Sequence, residues 1–179
     1  MPRIIYRHEP VKRFIVSAIG EAGQREFFIQ ISSDQGLNTI AVEKEQVRAL
    51  SEQLNILVSE LRRGGVISKE QSSIPPVLDD DPLEIPIESD FQLGVANIAW
   101  RNEYIEITFQ AISSDDQILL DDLDYGPDLI IAAVSIEVAK GFNIRANRII
   151  AQGRSACPFC GLPINVSGHL CPRANGYRT

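Results

Sequence analysis

The sequence predicts an α+β protein: two β-β-β-α units forming a two-layer sheet/helix body, followed by a tail that carries every cysteine. Three observations lead there. The apolar period changes from two to about 3.6 twice along the chain. A proline- and acid-rich stretch separates the two changes. All three cysteines fall between residues 157 and 171.

The first unit spans residues 11–63. "VKRFIVSAI" (11–19) is apolar and β-branched, which suits a strand. "GEAGQ" turns the chain, and "REFFIQIS" alternates Phe27, Ile29 and Ile31 with polar neighbours. After "SDQG", "LNTIAV" reads as a third strand. In "EKEQVRALSEQLNILVSELRR" (43–63), Val47, Leu50, Leu54, Leu57, Val58 and Leu61 recur at spacings of three and four, an amphipathic helix. Glu43 and Glu45 at its start, Arg62 and Arg63 at its end and Gly64-Gly65 beyond suit the helix dipole and its termination.

Residues 64–90 read as a linker. "SSIPPVLDDDPLEIPIESD" holds four prolines among many acids, so it is expected to lie extended over the surface. The second unit spans 91–153. "FQLGVANIAWRN" and "EYIEITFQAI" are strands meeting at a tight turn near Arg101-Asn102-Glu103. "SSDDQILLDDLDYGP" is an acidic loop, "DLIIAAV" a strand and "SIEVAKGFNIRANRIIAQG" a helix. Ser135 is its N-cap and Ala139, Phe142, Ala146, Ile149 and Ile150 its buried stripe. Gly141 weakens that helix by about 1 kcal/mol relative to alanine, and Gly153 ends it. The repeat rests on element order alone. Side by side, the two units would share one sheet of about six strands in a body of residues 1–153, both helices on one face.

At 179 residues and 44% hydrophobic, the chain has enough apolar material for a core. It has no apolar run near the roughly 20 residues that span a bilayer, and no signal-peptide pattern at its start. A cytoplasmic protein without membrane association is expected. An odd number of cysteines fits a reducing compartment better than a disulfide framework. The net charge of −7 is unevenly spread. Residues 140–179 hold six basic residues and no acid, which leaves −13 on the rest. A basic end can bind polyanions, or it can pack on the acidic body.

The tail, residues 154–179, contains Cys157-Pro-Phe-Cys160-Gly161, then His169 and Cys171. A two-residue spacer lets two thiolates face one ion, and a following glycine lets the chain turn so that backbone N–H groups reach sulfur. Three thiolates and an imidazole make a Cys₃His set, a closed tetrahedral shell for structural Zn²⁺. Sulfur-rich ligation disfavours magnesium and calcium. The single residue between His169 and Cys171 is tighter than a usual second knuckle and calls for a bend at Leu170. His8, or a group from a partner chain, is the alternative fourth ligand. A redox Cys-x-x-Cys pair is the competing reading, but such pairs precede a helix whereas this one follows one.

The ending also resembles a bacterial family of unknown function, domain-of-unknown-function family 3090, best known from actinobacteria. Its members end in Cys-Pro-x-Cys-Gly-x-Pro-x-x-x-x-Gly-His-x-Cys-Pro-Arg-x-Asn-Gly-Tyr, and residues 157–177 match throughout. Asn165-Val166-Ser167 stand where the resemblance leads one to expect proline and an acid, a departure that spares the four ligands. The resemblance extends over nearly the whole chain and implies no established activity.

Three functions remain. The first is a non-enzymatic module in which the zinc tail docks on another protein. The second is RNA or single-strand binding by Arg145, Arg148, Arg154, Arg173 and Arg178, with Phe159 or Tyr177 stacking on a base. The third is a metal-dependent enzyme, with Asp115, Asp116, Asp121, Asp122 and Asp124 around Mg²⁺ and a phosphorylated substrate. No phosphate-binding glycine loop and no nucleophile-elbow pattern occurs.

Overall fold

The structure, a computed structural model, describes residues 2–121, 123–153, 157–162, 164 and 168–173. The elements are β1 (Ile5–His8), β2 (Arg13–Ile19), β3 (Glu26–Ser33), β4 (Gly36–Val42), α1 (Lys44–Arg63), a short α2 (Lys69–Ser72), β5 (Phe91–Arg101), β6 (Tyr104–Ala111), β7 (Leu129–Val134) and α3 (Ile136–Ala151). Both β-β-β-α units are present: β2-β3-β4-α1 and β5-β6-β7-α3.

Local chemistry explains the boundaries. Glu43 and Gln46 form a capping box that starts α1, and the Ser135 hydroxyl accepts from the Val138 N–H to start α3. Asn102 (φ 52°) and Glu103 (φ 66°) form a two-residue hairpin turn joining β5 to β6.

The strands form one seven-stranded sheet in the order β1-β7-β6-β5-β4-β3-β2. Pairing is antiparallel inside each unit and parallel at β4–β5, where the units join, and at β1–β7. The seventh strand, β1, exceeds the six expected. "IYRH" carries too few apolar residues to announce itself, and its partner lies more than 120 residues away.

Strands β1 and β2 sit at opposite ends of this order, yet only residues 9–12 separate them. A flat sheet of this width would span about 29 Å between its outer strands, and the link reaches no more than about 18 Å. The sheet is therefore curled until its edges meet. At the seam Val11 donates to the Ala133 carbonyl (2.9 Å) and Lys12 to that of Ser32 (2.8 Å). Successive residues thus bond to opposite ends of the sheet.

The concave face holds one continuous core that both helices enter. Leu50, Leu54, Phe142 and Ile149 are buried there as expected, and Leu57 is partly buried. Phe14 of β2 stacks on Phe142 of α3 (centroids 4.1 Å apart) and lies 6.3 Å from Phe109 of β6.

The linker binds the body along its length. Lys140 donates to the carbonyls of Ser72 and Ile74, and Val77 donates to the Glu137 carbonyl of α3. A Cβ at Gly141 would run into the Val77 carbonyl, so this mid-helix glycine exists for a close backbone approach. Farther on, Arg13 makes a forked pair with Asp79 (2.6 and 3.0 Å). Gln30 then clamps the backbone of Glu84. The strap covers the edge of β2 and the convex face over β2 and β3, where Ile15 and Leu83 are buried.

Candidate metal centre

Helix α3 ends at Ala151, and the Gly153 N–H returns to the Ile150 carbonyl. The knuckle begins at Cys157. Its N–H donates to the Leu162 carbonyl (2.8 Å), and the Gly161 N–H donates back to the Cys157 carbonyl (2.9 Å). Gly161 takes φ +76°, a left-handed turn that glycine adopts without strain, and Gly168 takes φ +86° just before His169.

These turns bring the Cys157, Cys160 and Cys171 thiols and one ring nitrogen of His169 within 4.8 Å of one another, a little wider than tight convergence at 4 Å. Cys157 Sγ and Cys171 Sγ are 3.8 Å apart, and Cys160 Sγ is 3.4 Å from His169 Nε2. No disulfide joins Cys157, Cys160 and Cys171. The backbone N–H groups of Cys160 and Phe159 aim at the Cys157 sulfur and hold that thiol below its ordinary range, the Cys160 N–H first. The Leu162 N–H similarly aims at Cys160, but burial and the neighbouring thiols raise that one. The four residues are placed to hold a metal ion.

Leu170, between His169 and Cys171, is 85% exposed. Alternate side chains of extended chain share a face, so this alternation accounts for the pair without the bend expected at Leu170. His8 is no substitute ligand. It is 1% exposed, with Nδ1 2.6 Å from Ser33 Oγ and Nε2 2.7 Å from Asn38 Oδ1.

Among the described residues, the candidate polyanion contacts Arg145, Arg148 and Arg173 each have a partner within the chain. Arg145 is 6% exposed, so a contact with an external polyanion is ruled out by burial. It donates to the carbonyls of Val16, Asp79 and Asp81 (2.7, 2.8 and 2.7 Å) and lies 3.6 Å from the Asp79 carboxylate. Arg148 pairs with Asp80 at 2.6 Å. Arg173 donates to the Phe159 carbonyl, bracing the knuckle. Arg154, Arg178 and Tyr177 lie outside the described residues. In the acidic loop, Asp115, Asp116, Asp121 and Asp124 are exposed, and Asp122 lies outside the described residues. Arg3 holds that loop through the carbonyls of Leu119, Asp121 and Pro127. Among the described residues, the cysteine–histidine set is the one group placed to share an ion.

Sequence reasoning missed what surrounds the ligands. Phe159, Leu162 and Leu170 are 63%, 52% and 85% exposed. The available signal was large apolar residues in a segment too short to bury them.

The fold and site define a class: a curled α+β sheet body with a C-terminal cysteine–histidine knuckle placed to hold a metal ion. The chain belongs to the family described as "Protein of unknown function (DUF3090)", whose model matches residues 6–171. No curated protein and no solved structure matches it. No helix among the described residues is long and apolar enough to cross a membrane.

Proposed function

We propose that the protein is a non-enzymatic interaction module whose tail, held by structural zinc, docks on another protein in the cytoplasm. The observation that carries this reading is the pairing of a four-donor site with three outward apolar side chains, Phe159, Leu162 and Leu170. The donor distances support zinc. Zinc–sulfur bonds of about 2.3 Å at tetrahedral angles set two sulfurs about 3.8 Å apart, and sulfur and imidazole nitrogen about 3.6 Å apart. Two separations in the set, 3.8 Å for Cys157–Cys171 and 3.4 Å for Cys160–His169, match these values, and all four donors lie within 4.8 Å of one another. Four protein donors leave no position for an activated water, so the ion serves to fix the knuckle. An odd number of cysteines supports a reducing compartment.

Binding of RNA or single strands through the tail has less support, because Arg145, Arg148 and Arg173 have partners within the chain. Metal-dependent catalysis at the acidic loop has less again, because Asp115, Asp116, Asp121 and Asp124 are exposed and no convergent acidic group occurs among the described residues.

The test starts with metal content by mass spectrometry, expected at about one zinc per chain. Tagged wild-type, Leu170→Asp and Cys160→Ser proteins are then compared for co-purifying partners. A partner lost in both variants supports docking by the knuckle. A partner retained by both, or tight salt-sensitive retention of mixed RNA on a filter, overturns it.

A further inference from the structure

Strand β5 is eleven residues long, but β4 pairs with it only at Ile40↔Phe91 and Ala41↔Gln92. Beyond Gln92 its outer edge is open among the described residues. The hairpin fixes which groups face that edge. With a two-residue turn at 102–103, Arg101 and Tyr104 exchange both hydrogen bonds. Counting back by twos, Ala99, Asn97 and Val95 also bond to β6. The N–H and C=O groups of Trp100, Ile98 and Ala96 therefore point away from β6, and no backbone partner for them occurs among the described residues. They form an unused half-ladder.

A helix runs beside this ladder without filling it. Gln46 Nε2 of α1 reaches the Leu93 carbonyl (3.1 Å). Beyond that contact a cleft of about 470 Å³ opens between Ala49, Leu50 and Gln53 on one side and Leu93–Ile98 on the other. One end continues past Gly94 to Glu43 and Asp116. At the other end of the strand, Trp100 lines a further cleft with Glu103 and Glu137. The floor is apolar: Ala96, Ile98 and Trp100 are only partly buried against the core. The charged residues lining these clefts are Glu43, Asp116, Glu103 and Glu137, all acidic, with no lysine or arginine among them.

We propose that the β5 edge is a binding site for an extended, basic-and-apolar peptide segment of a partner protein, added as a strand between β5 and α1. Extended backbone is what pairs with a strand edge, whereas a helix has already used its own N–H and C=O groups. Alternate apolar side chains of the peptide would cover Ala96, Ile98 and Trp100. Lysine or arginine at its ends would meet the acids at both ends of the strand. None of the four knuckle ligands lines these clefts, so binding at the edge is expected to be independent of the metal.

The experiment uses the full-length protein and a short fluorescent peptide alternating lysine and valine, followed by anisotropy. The expected result is saturable binding that survives chelation of the metal. Binding should weaken at least about tenfold when the valine amides are N-methylated, which removes donors and leaves charge intact. The Ile98→Pro variant removes an edge-facing N–H while Asn97 and Ala99 keep their bonds to β6. It should lose binding to the same degree with an unchanged circular dichroism spectrum. Equal binding of methylated and unmethylated peptides to wild-type protein overturns the proposal, whatever the folding of the variant. So does binding that appears only after residues 174–179 are deleted, which would make the chain's own terminus the occupant. A concentration-dependent dimer abolished by Ile98→Pro would assign the edge to a second copy and overturn it as well.

Discussion

Gln30 of β3 and Gln110 of β6 hold the two loops that cover the convex face by the same pair of contacts. The Gln30 amide accepts from the Glu84 N–H (2.8 Å) and donates to the Glu84 carbonyl (2.9 Å). The Gln110 amide accepts from the Leu119 N–H (2.7 Å) and donates to the Gln117 carbonyl (2.5 Å). Each is a buried glutamine on the middle strand of its unit, 2% exposed. Replacing either with leucine strands loop backbone groups and should cost about 1–3 kcal/mol. The two sites have no common partner, so the double variant should show nearly the sum. Urea unfolding of the four proteins checks this, and a double variant no worse than one single would contradict it.

Asp79 should make stability fall in acid. Its carboxyl is held below the ordinary range, first by the hydrogen bond from Arg13. A carboxylate whose value is depressed in the folded state stabilises the protein above its unfolded value, about 3.9, and stops doing so as pH falls through the folded one. Asp79→Asn should therefore be less stable than wild type at pH 7, by about 2 kcal/mol. The gap should close as pH is lowered toward about 2. Denaturation curves across that range decide it, and a constant gap would assign the effect to something other than this charge.

Gly141→Ala gives a test with opposite signs from two arguments. Helix propensity alone predicts a gain of about 1 kcal/mol. The added Cβ instead runs into the Val77 carbonyl, so we expect a loss of about 1–3 kcal/mol and a strap more easily cut by protease. A stabilised variant would mean that the strap yields without cost.

Cys160→Ser should abolish metal binding while leaving the body folded, because the core lies on the concave face of the sheet. Chelation of wild type should expose three titratable thiols. Cooperative loss of the whole circular dichroism signal on chelation would show that the body depends on the metal.

The elements that sequence showed well are those with a strong local signal. The stripe from Val47 to Leu61 marks α1, and the alternation of Phe27, Ile29 and Ile31 marks β3. The knuckle was legible for a similar reason: its ligand types and short spacer lie within fifteen residues, 157–171. What sequence hid is non-local. The partner of β1 lies across the whole body, so four residues of mixed polarity gave no sign of a strand. The linker looked like a surface connection because its attachments come from elsewhere, from Arg13, Gln30, Lys140 and Arg145. For Arg145, charge suggested an exposed contact, but a guanidinium can be buried when carbonyls satisfy its donors.

The seam that closes the sheet also orders events on the ribosome. Strand β1 pairs with Leu129–Ala132, and Val11 bonds to Ala133, so β1 is made well before the strand it pairs with. At about 5–20 residues per second, translation keeps it waiting roughly 6–25 s. The first β-β-β-α unit can assemble meanwhile, since its β2–β3 and β3–β4 pairs are internal and only the short β4–β5 pairing waits for the second unit. Nascent chains arrested before Leu129 should leave residues 5–8 open to protease, and those arrested well past α3 should protect them. Throughout that interval, an unpaired N-terminal strand is what the emerging chain offers to chaperones.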